Sequence, residues 1–311
     1  MRTCVDDEAW WSDPAAGGLL ARLLAFDTPS GDEDILADWL SDWAGDTVAG
    51  SERKRLGASL VVIRGKPRTA IFAHTDTTGY TLAYGGALVR IGGPYPKPED
   101  LFWMVGDRSM VSGVRAGDEP GEMYLTRDDA APGSRWVYAA QPVIEDGEVH
   151  SPYLDNRGGV WAALQTLQRC EDVAIAFTSG EEHNSVGALV CAKYLFERYG
   201  IENALISDLT WDTDHIHCGE GVAISLRDQN VPRQRYLNRV LEIAQSSGIA
   251  FQREIESSGG SDAMGIQRSG VPMDWLFVGA PEREPHTSRE SVRISDLESM
   301  VDMLTVLVER L

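Results

Sequence analysis

Six acidic or imidazole side chains have the types and the chain order of a two-metal hydrolytic site: His74, Asp155, Glu181, Glu182, Asp208 and His286. Two divalent ions about 3.5–4 Å apart can activate a shared water molecule and polarise a carbonyl group. Such a site needs a carboxylate between the ions, because one imidazole nitrogen cannot bind two cations. Asp155, in the segment DNRGG, is the best candidate for that bridge. The sequence therefore predicts metal-assisted hydrolysis.

Two short motifs indicate how the remaining groups could act. Alternation after a strand places His74 and Asp76 on one face, so Asp76 is predicted to hydrogen-bond the second imidazole nitrogen and to support catalysis. The neighbouring carboxylates of Glu181 and Glu182 repel each other unless solvent or a cation compensates. One of them can then bind metal, while the other carries a proton from water to the leaving amine.

Each feature also has an ordinary structural interpretation. Asp155 could cap the helix that follows it, and the Glu pair could be a solvated acidic loop. Asp208 could cap a loop, and His286 could be a surface histidine. The occurrence of all six residues at successive strand ends favours the metal site over these alternatives.

Strand and helix signals alternate along most of the chain. Apolar runs predict six strands, at residues 60–63, 69–73, 173–177, 204–206, 222–224 and 275–278. Helical periodicity predicts four helices, at residues 19–26, 160–167, 186–199 and 236–244. Two capping-box patterns, at 30–33 and 295–298, predict the starts of two further helices. The alternation predicts an α/β fold with a mostly parallel sheet flanked by helices. In such sheets ligands bind beyond the carboxyl ends of the strands, where the candidate metal ligands fall.

A segment rich in glycine and proline interrupts this alternation from residue 78 to residue 150. It lacks helical periodicity and carries short apolar runs, such as 87–91 and 136–140, between turn signals. We therefore expect a small all-β subdomain at 78–150, with a role in dimerisation or substrate access. It is inserted into a catalytic α/β domain formed by residues 1–77 and 151–311.

Composition excludes several classes of partner. The formal net charge of −20 argues against nucleic acid and disfavours anionic membranes. No run approaches the ~20 apolar residues that cross a bilayer, and the acidic start of the chain is unlike a secretory signal. We therefore expect a soluble cytoplasmic protein.

The four cysteines are scattered without CxxC spacing, which argues against a disulfide framework. Cys170 and Cys191 fall in apolar segments and are predicted to be core thiols. The segment His215-Ile216-His217-Cys218 could suggest a further metal site, but an ordinary loop is the favoured interpretation because no second ligand pair accompanies it. Trp211 could line a substrate pocket, although core packing is favoured.

The sequence resembles the glutamyl and tetrahedral aminopeptidase family, in the clan of cocatalytic metallo-exopeptidases. The resemblance runs from residue 28 to the terminal helix, and its motifs are HTD at 74–76, DNRGG at 155–159, GEE at 180–182, DLT at 208–210, GGSDA at 259–263, GVP at 270–272, and Arg283 before His286. The family usually has an acidic residue at the position of Thr77 and a second aspartate at that of Asn156. The β insertion is a family trait, although it is shorter here.

The resemblance implies a zinc-exopeptidase-like fold and specific roles for the site residues. His74 and Asp208 would bind one metal, Glu182 and His286 the other, and Asp155 would bridge them. Glu181 would be the general base and acid. Zinc is the first choice of metal, and cobalt or manganese also suits these ligands. A homo-oligomer, dimer or larger, is implied.

The function that follows is a metal-dependent aminopeptidase that removes the first residue of short peptides. A second hypothesis keeps the site but makes the substrate a small acylated or modified amino acid. A third makes the chain a non-catalytic relative that serves in assembly or binding. Arg283 and Asp262 are candidates for substrate contacts, and arginine near His286 would favour an acidic substrate side chain.

Overall fold

The computed structural model describes residues 7–118, 121–139 and 141–311. Cys4, and Ala140 at the end of one predicted strand, lie outside the described residues. Within the described ranges the chain forms eight α-helices: α1 (Asp7–Ser12), α2 (Gly17–Leu24), α3 (Asp34–Thr47), α4 (Leu154–Arg169), α5 (Val186–Tyr199), α6 (Gln234–Ser247), α7 (Ala263–Arg268) and α8 (Ile294–Arg310).

The same ranges contain strands in two sheets. The strands are β1 (Glu52–Leu56), β2 (Ser59–Arg64), β3 (Thr69–His74), β4 (Gly79–Leu82), β5 (Leu88–Ile91), β6 (Leu101–Met104), β7 (Asp107–Ala116), β8 (Met123–Leu125), β9 (Arg135–Tyr138), β10 (Val143–Glu145), β11 (Glu148–His150), β12 (Val173–Thr178), β13 (Asn203–Trp211), β14 (Val222–Ser225), β15 (Phe251–Glu254), β16 (Asp274–Arg283) and β17 (Ser291–Arg293). Every strand and helix predicted from an apolar run or from helical periodicity has a counterpart here.

The main sheet has 11 strands, and its centre is the parallel set β12-β3-β13-β16. Strands β2 and β1 extend it antiparallel on one side, and β17, β11 and β10 on the other. Strand β14 pairs antiparallel with β16, and β15 pairs parallel with β14. The predicted α/β fold with a largely parallel central sheet and flanking helices is confirmed.

Helices cover both faces of this sheet, because the central strands are apolar at every position rather than at alternate ones. In β3, Ile71 packs with Leu164 of α4, in a core shared with α2, α3, α6 and α8. The neighbouring Ala70 and Phe72 point the other way and pack with Cys191 of α5, in a core shared with α7. The two cores hold the strand ends, and therefore the site residues, between two layers of helix.

The second sheet has six strands in the order β5-β4-β9-β6-β7-β8 and is formed entirely by the predicted insertion. Its core contains Trp136 and Phe102, and it is closed by Tyr153 from the main body of the chain. The last two strands of the 78–150 segment, β10 and β11, pair with the main sheet through β17. The second sheet therefore ends at Tyr138, while the division of the chain into separate domains stays a prediction.

The first predicted capping box is wrong. Helix α3 begins at Asp34, and no side chain caps its N-terminus. Ser30 instead donates a hydrogen bond of 2.6 Å to Oδ2 of Asp76. The carboxylate of Glu33 accepts from the backbone N–H groups of Gly31 and Gly180, at 2.9 and 3.0 Å. Bonds with Asp76 and Gly180, both distant in sequence, thus involve the two side chains that the local pattern assigned to a cap.

The second predicted capping box is also wrong. Helix α8 begins at Ile294, so Ser295 already lies inside its first turn. Asp296 accepts hydrogen bonds from the backbone N–H groups of Gly219 and Gly221, at 2.6 and 3.0 Å. This carboxylate therefore fastens the loop after β13 to the terminal helix.

Smaller predictions about cysteines and loops are confirmed. Cys170 and Cys191 are buried free thiols, one in each of the two main cores. The segment 212–221 is an irregular loop between β13 and β14, and Sγ of Cys218 there lies 3.4 Å from the carbonyl oxygen of Pro281. No helix in the described part of the chain has the length and apolarity required to cross a membrane.

Candidate metal centre

The predicted site residues meet where four strands of the main sheet end. His74 is the last residue of β3, and Asp208 lies on the neighbouring strand β13. Glu181 and Glu182 follow the end of β12, and His286 follows the end of β16. Asp155 reaches the same edge from the first turn of α4. These parallel strands bring together side chains that are more than 200 residues apart in sequence. The sequence predicted this convergence, because it placed the candidate ligands beyond the carboxyl ends of the strands.

Five of the side chains form two groups that could each hold a metal ion. One group contains His74, Asp155 and Asp208, and the other contains Asp155, Glu182 and His286. In each group the candidate ligand atoms lie within 4.8 Å of one another. Asp155 belongs to both groups, which is the position that a bridging carboxylate requires.

The two oxygens of Asp155 face different groups. Oδ1 lies 3.0 Å from Nε2 of His74, and Oδ2 lies 3.3 Å from Nε2 of His286. On the first side, Nε2 of His74 is also 3.5 Å from Oδ1 of Asp208. On the second side, Nε2 of His286 is 3.5 Å from Oε1 of Glu182. The Asp155 carboxylate thus lies between two imidazole–carboxylate pairs.

Backbone carbonyl groups set the tautomer of both histidines. Nδ1 of His74 lies 3.1 Å from the carbonyl oxygen of Asp76, and Nδ1 of His286 lies 3.1 Å from that of Gly93. Because a carbonyl oxygen only accepts, each Nδ1 must carry the proton, and each Nε2 can then offer its lone pair to a metal. The predicted contact to His74 was the Asp76 carboxylate. Its Oδ1 is 3.6 Å away, so the carbonyl of the same residue is the closer partner.

The carboxylate of Asp76 binds the backbone of the glutamate pair instead. Oδ1 accepts from the N–H of Glu181 at 2.9 Å, and Oδ2 accepts from the N–H of Glu182 at 3.1 Å. Burial acts to raise the pKa of Asp76, but the contact with His74 and the bond from Ser30 outweigh it and lower this pKa. Asp76 is therefore a buried anion that orients both glutamates.

Burial and mutual repulsion raise the pKa values of three carboxyl groups at this centre. Burial is the main cause for each: the pKa of Glu182 is raised to about 8 and that of Asp208 to about 6, although the imidazoles act in the opposite direction. The pKa of Glu181 is raised well above its usual range, by burial and then by Glu182 and Asp208. Carboxylates buried this close together repel one another unless positive charge compensates them.

The residues present fit a pair of divalent cations. Oε1 of Glu182 is buried and has no hydrogen-bond partner among the described residues. Oxygen and imidazole donors of this kind bind zinc, cobalt or manganese, and cations would offset the cost of burying the carboxylates. Glu181 belongs to neither ligand group but lines the same cavity, so its carboxylate remains available for proton transfer.

Comparison with known proteins identifies the family. The sequence model of the M42 glutamyl aminopeptidase family matches residues 129–303, more than half of the 311 residues. The chain belongs to the M42 glutamyl aminopeptidase family. A curated relative from Acetivibrio thermocellus, named "Putative aminopeptidase", is 28% identical over 204 residues. That alignment covers 62% of this chain and 59% of the relative, so less than two thirds of the relative's length is matched.

Solved structures share the fold at low sequence identity. An aminopeptidase from the archaeon Desulfurococcus kamchatkensis matches with a TM-score of 0.82 and 20% identity, over 94% of each chain. The TET1 peptidase of Pyrococcus horikoshii, described as assembling into a tetrahedron or a large octahedral shell, matches with a TM-score of 0.76 and 20% identity. This match covers 94% of the present chain and 98% of the other.

A cavity of about 380 Å³ opens from the candidate metal centre of this M42 chain. Beyond the candidate ligands its walls include Trp211 at the end of β13, Met264 of α7 and Phe277 of β16. Trp211 is 38% exposed, so the favoured expectation that it packs in the core is wrong. Tyr95, from the loop after β5, also lines the cavity and stacks on the ring of His286 with centroids 6.4 Å apart.

The two predicted substrate-binding residues do not line this cavity. Arg283 donates to Oε1 of Glu148 at 2.6 Å, and its Nε lies 3.1 Å from Oδ2 of Asp212. Asp262 is buried, and its Oδ2 accepts from the hydroxyl of Thr178 at 2.5 Å. Ion pairs with Glu148 and Asp212 therefore hold Arg283, and Asp262 is buried beside Thr178.

Sequence reasoning missed two buried glutamates behind the metal centre. Oε2 of Glu290 accepts from the backbone N–H of Asp155 at 3.2 Å and so helps to position Asp155. Both carboxylate oxygens of Glu282 are buried without a hydrogen-bond partner among the described residues. Burial, followed by repulsion from Glu290 and Asp155, raises the pKa of Glu282 well above its usual range. The sequence signal for Glu282 was an acidic residue near the end of the largely apolar strand β16.

Sequence reasoning also missed the role of the arginine in DNRGG. The Arg157 side chain is fully buried and donates to the carbonyl of Thr75 at 2.9 Å and to the hydroxyl of Thr28 at 2.5 Å. It donates further to the carbonyls of Leu23 and Phe26. It therefore ties the turn that carries Asp155 to Thr75, directly after His74, and to the end of α2.

Proposed function

We propose that this protein is a metal-dependent aminopeptidase that removes the first residue of short peptides. The observation that carries the proposal is the position of Asp155, with one oxygen toward each of two imidazole–carboxylate pairs. Membership of the M42 family supports the same reaction class.

The proposal assigns a role to each residue of the centre. His74 and Asp208 would hold one divalent cation, Glu182 and His286 the other, and Asp155 both. The cations, when bound, would supply Lewis acidity for the scissile carbonyl and lower the pKa of water. The carbonyl groups of Asp76 and Gly93 keep both imidazoles in the tautomer that can bind them.

Glu181 is the proposed proton carrier. It would take a proton from the attacking water and deliver it to the nitrogen of the departing peptide. The geometry supports this role, because the Glu181 carboxylate lies outside both ligand groups and lines the same cavity. Asp76, through the N–H of Glu181, would position the carboxylate rather than transfer protons itself.

Three further points belong to the proposal. Zinc is the expected metal, with cobalt and manganese as alternatives. A homo-oligomer is expected, because the TET1 peptidase that shares the fold is described as forming large shells. A cytoplasmic location stays a prediction from the sequence.

The test is hydrolysis of aminoacyl-p-nitroanilides by metal-stripped protein titrated with zinc, cobalt or manganese. We expect activity to return as metal content approaches two ions per chain. N-acetylated anilides are the matched control, because an aminopeptidase requires the free amine. Two bound metals without turnover of any free-amine anilide would contradict the proposal, and turnover of the acetylated substrates alone would favour a small-amide hydrolase.

A further inference from the structure

Acidic residues line the cavity in addition to those of the candidate metal centre. Beyond the candidate ligands and Glu181, its lining includes Asp228 and Glu256, and no lysine or arginine lines the cavity among the described residues. We propose that the cavity selects substrates whose first side chain is cationic, lysine and arginine above all, with Glu256 and Asp228 as the residues that determine specificity. The inference rests on the proposed function, because it names the substrate class of the same site.

The composition of the wall suits a long side chain with a charge at its end. Trp211, Met264 and Phe277 give the cavity apolar surface, while Asp228, Gln229 and Glu256 give it polar surface. Lysine and arginine have apolar stems of three or four methylene groups below a charged head. The stem can contact the aromatic and thioether surface while the head reaches the carboxylates.

The loop that carries Glu256 keeps this carboxylate ionised. Oε1 of Glu256 accepts from the backbone N–H groups of Ser257, Ser258 and Gly259, at 2.5, 2.6 and 3.2 Å. Burial acts to raise the pKa of Glu256, but these bonds outweigh it and lower the pKa. A glutamate that stays charged is a suitable partner for an ammonium or guanidinium group.

The same hydrogen bonds disfavour an acidic substrate. Three successive backbone N–H groups can bind a carboxylate, but in this loop Glu256 already occupies them. The arginine that could have attracted an acidic side chain, Arg283, is paired with Glu148 and Asp212 instead. A glutamyl substrate would therefore place its charge beside Glu256 and Asp228 without a cation to compensate.

Asp228 forms the second acidic wall and is held in place by the neighbouring loop. Its Oδ2 accepts from the hydroxyl of Ser261 at 2.7 Å, and its Oδ1 accepts from the backbone N–H of Asn230 at 2.5 Å. Because the carboxylate is fixed before substrate arrives, little ordering cost accompanies its contact with a cation.

The test compares lysyl and norleucyl p-nitroanilides, whose first side chains have the same apolar stem and differ in charge. We expect kcat/KM of the metal-loaded protein to be about tenfold or more higher for lysyl than for norleucyl, and lower for glutamyl than for both. Raising salt from about 50 to about 500 mM should reduce the lysyl-to-norleucyl ratio, since it screens the charges.

Glu256→Gln is the deciding variant. It removes the charge but keeps an oxygen that can accept the three backbone N–H groups. We expect its lysyl-to-norleucyl ratio to fall about tenfold, whereas the same change at the exposed Glu242 of α6 should leave the ratio as it is. A norleucyl or glutamyl preference in the unchanged protein, or an unaltered ratio in Glu256→Gln, would overturn the inference while leaving the aminopeptidase intact. Failure to hydrolyse any of these anilides would instead count against the proposed function.

Discussion

Oδ1 of Asp76 accepts a hydrogen bond of 2.9 Å from the backbone N–H of Glu181. This bond joins two motifs that lie 105 residues apart in sequence. Because the second oxygen of Asp76 accepts from the next N–H, at Glu182, one buried carboxylate positions the proposed proton carrier and a proposed metal ligand together.

Asp76→Asn should separate this positioning role from metal binding. Asparagine has one acceptor oxygen, so one of the two backbone N–H groups loses its partner. We expect kcat/KM to fall about 10–100-fold, as for other groups that orient metal-site residues. The far-UV circular dichroism spectrum should not change. Asp38→Asn, at an exposed position of α3, is the matched control. Full activity in Asp76→Asn would contradict the role given to this carboxylate.

Glu181→Gln should lose activity without losing metal. Glutamine matches the size of glutamate but cannot carry a proton at neutral pH, so we expect kcat to fall about 10²–10⁴-fold. Metal content is measured by inductively coupled plasma mass spectrometry beside the kinetics. Glu197→Gln, on the exposed surface of α5, should behave as the unchanged protein. If Glu181→Gln kept normal kcat with two metals, another group would have to transfer the proton.

Asp155→Ala should lower metal occupancy at both positions, because its two oxygens face different ligand groups. We expect clearly fewer than two ions per chain after dialysis. Asp208→Ala should weaken binding mainly in the group shared with His74, which provides the comparison. Two tightly bound ions in Asp155→Ala would exclude a bridging role.

Arg157→Met should destabilise the fold even without metal. Methionine fills most of the volume but leaves the buried acceptors at Thr75 and Thr28 without their donor. We expect a loss of about 2–4 kcal/mol in the free energy of unfolding, measured by urea denaturation of metal-stripped protein. Arg169→Met, at a half-exposed ion pair with Asp302, should cost less than about 1 kcal/mol. Equal losses in the free energy of unfolding would show that the buried hydrogen bonds of Arg157 stabilise the fold no more than the ion pair of Arg169 does.

Asp262→Asn should change the pH dependence of stability. Burial raises the pKa of Asp262 to about 7 from its usual 3.8, although His74 lowers it. Between these values the folded chain holds a proton that the unfolded chain has lost, so the contribution of this group to stability falls as pH rises through that window. Asparagine does not titrate but can accept the Thr178 hydroxyl. We expect the variant to gain about 1 kcal/mol or more relative to the unchanged protein from pH 4.5 to 7.5. Parallel pH profiles in urea denaturation would contradict this.

The ordering of strands and helices could be predicted from the sequence, because it depends on periodicity within single segments. The run from Ala70 to Ala73 is apolar throughout and lies in a strand, and the run from Val186 to Tyr199 is a helix at its predicted bounds. The site could also be predicted in outline. Ligands at the carboxyl ends of parallel strands must converge, and His74 and Asp208 do so on neighbouring strands.

The sequence could not indicate which polar groups become hydrogen-bond or ion-pair partners of one another. Ser30 and Glu33 match a local capping pattern, yet Ser30 donates to Asp76 and Glu33 accepts from Gly180, both far along the chain. Arg283 was a reasonable partner for a substrate carboxylate until its pairing with Glu148 was known.

The sequence by itself therefore determined the class of fold and the inventory of chemical groups, since residue type and short-range spacing encode both. Only the tertiary structure decided that the two oxygens of Asp155 face opposite ligand groups, that a carbonyl from the inserted β segment, at Gly93, orients His286, and that Glu256 lies in the cavity wall. The physical reason is that buried hydrogen bonds and charges must be paired in three dimensions. Those pairings join segments whose separation along the chain carries no periodic signal.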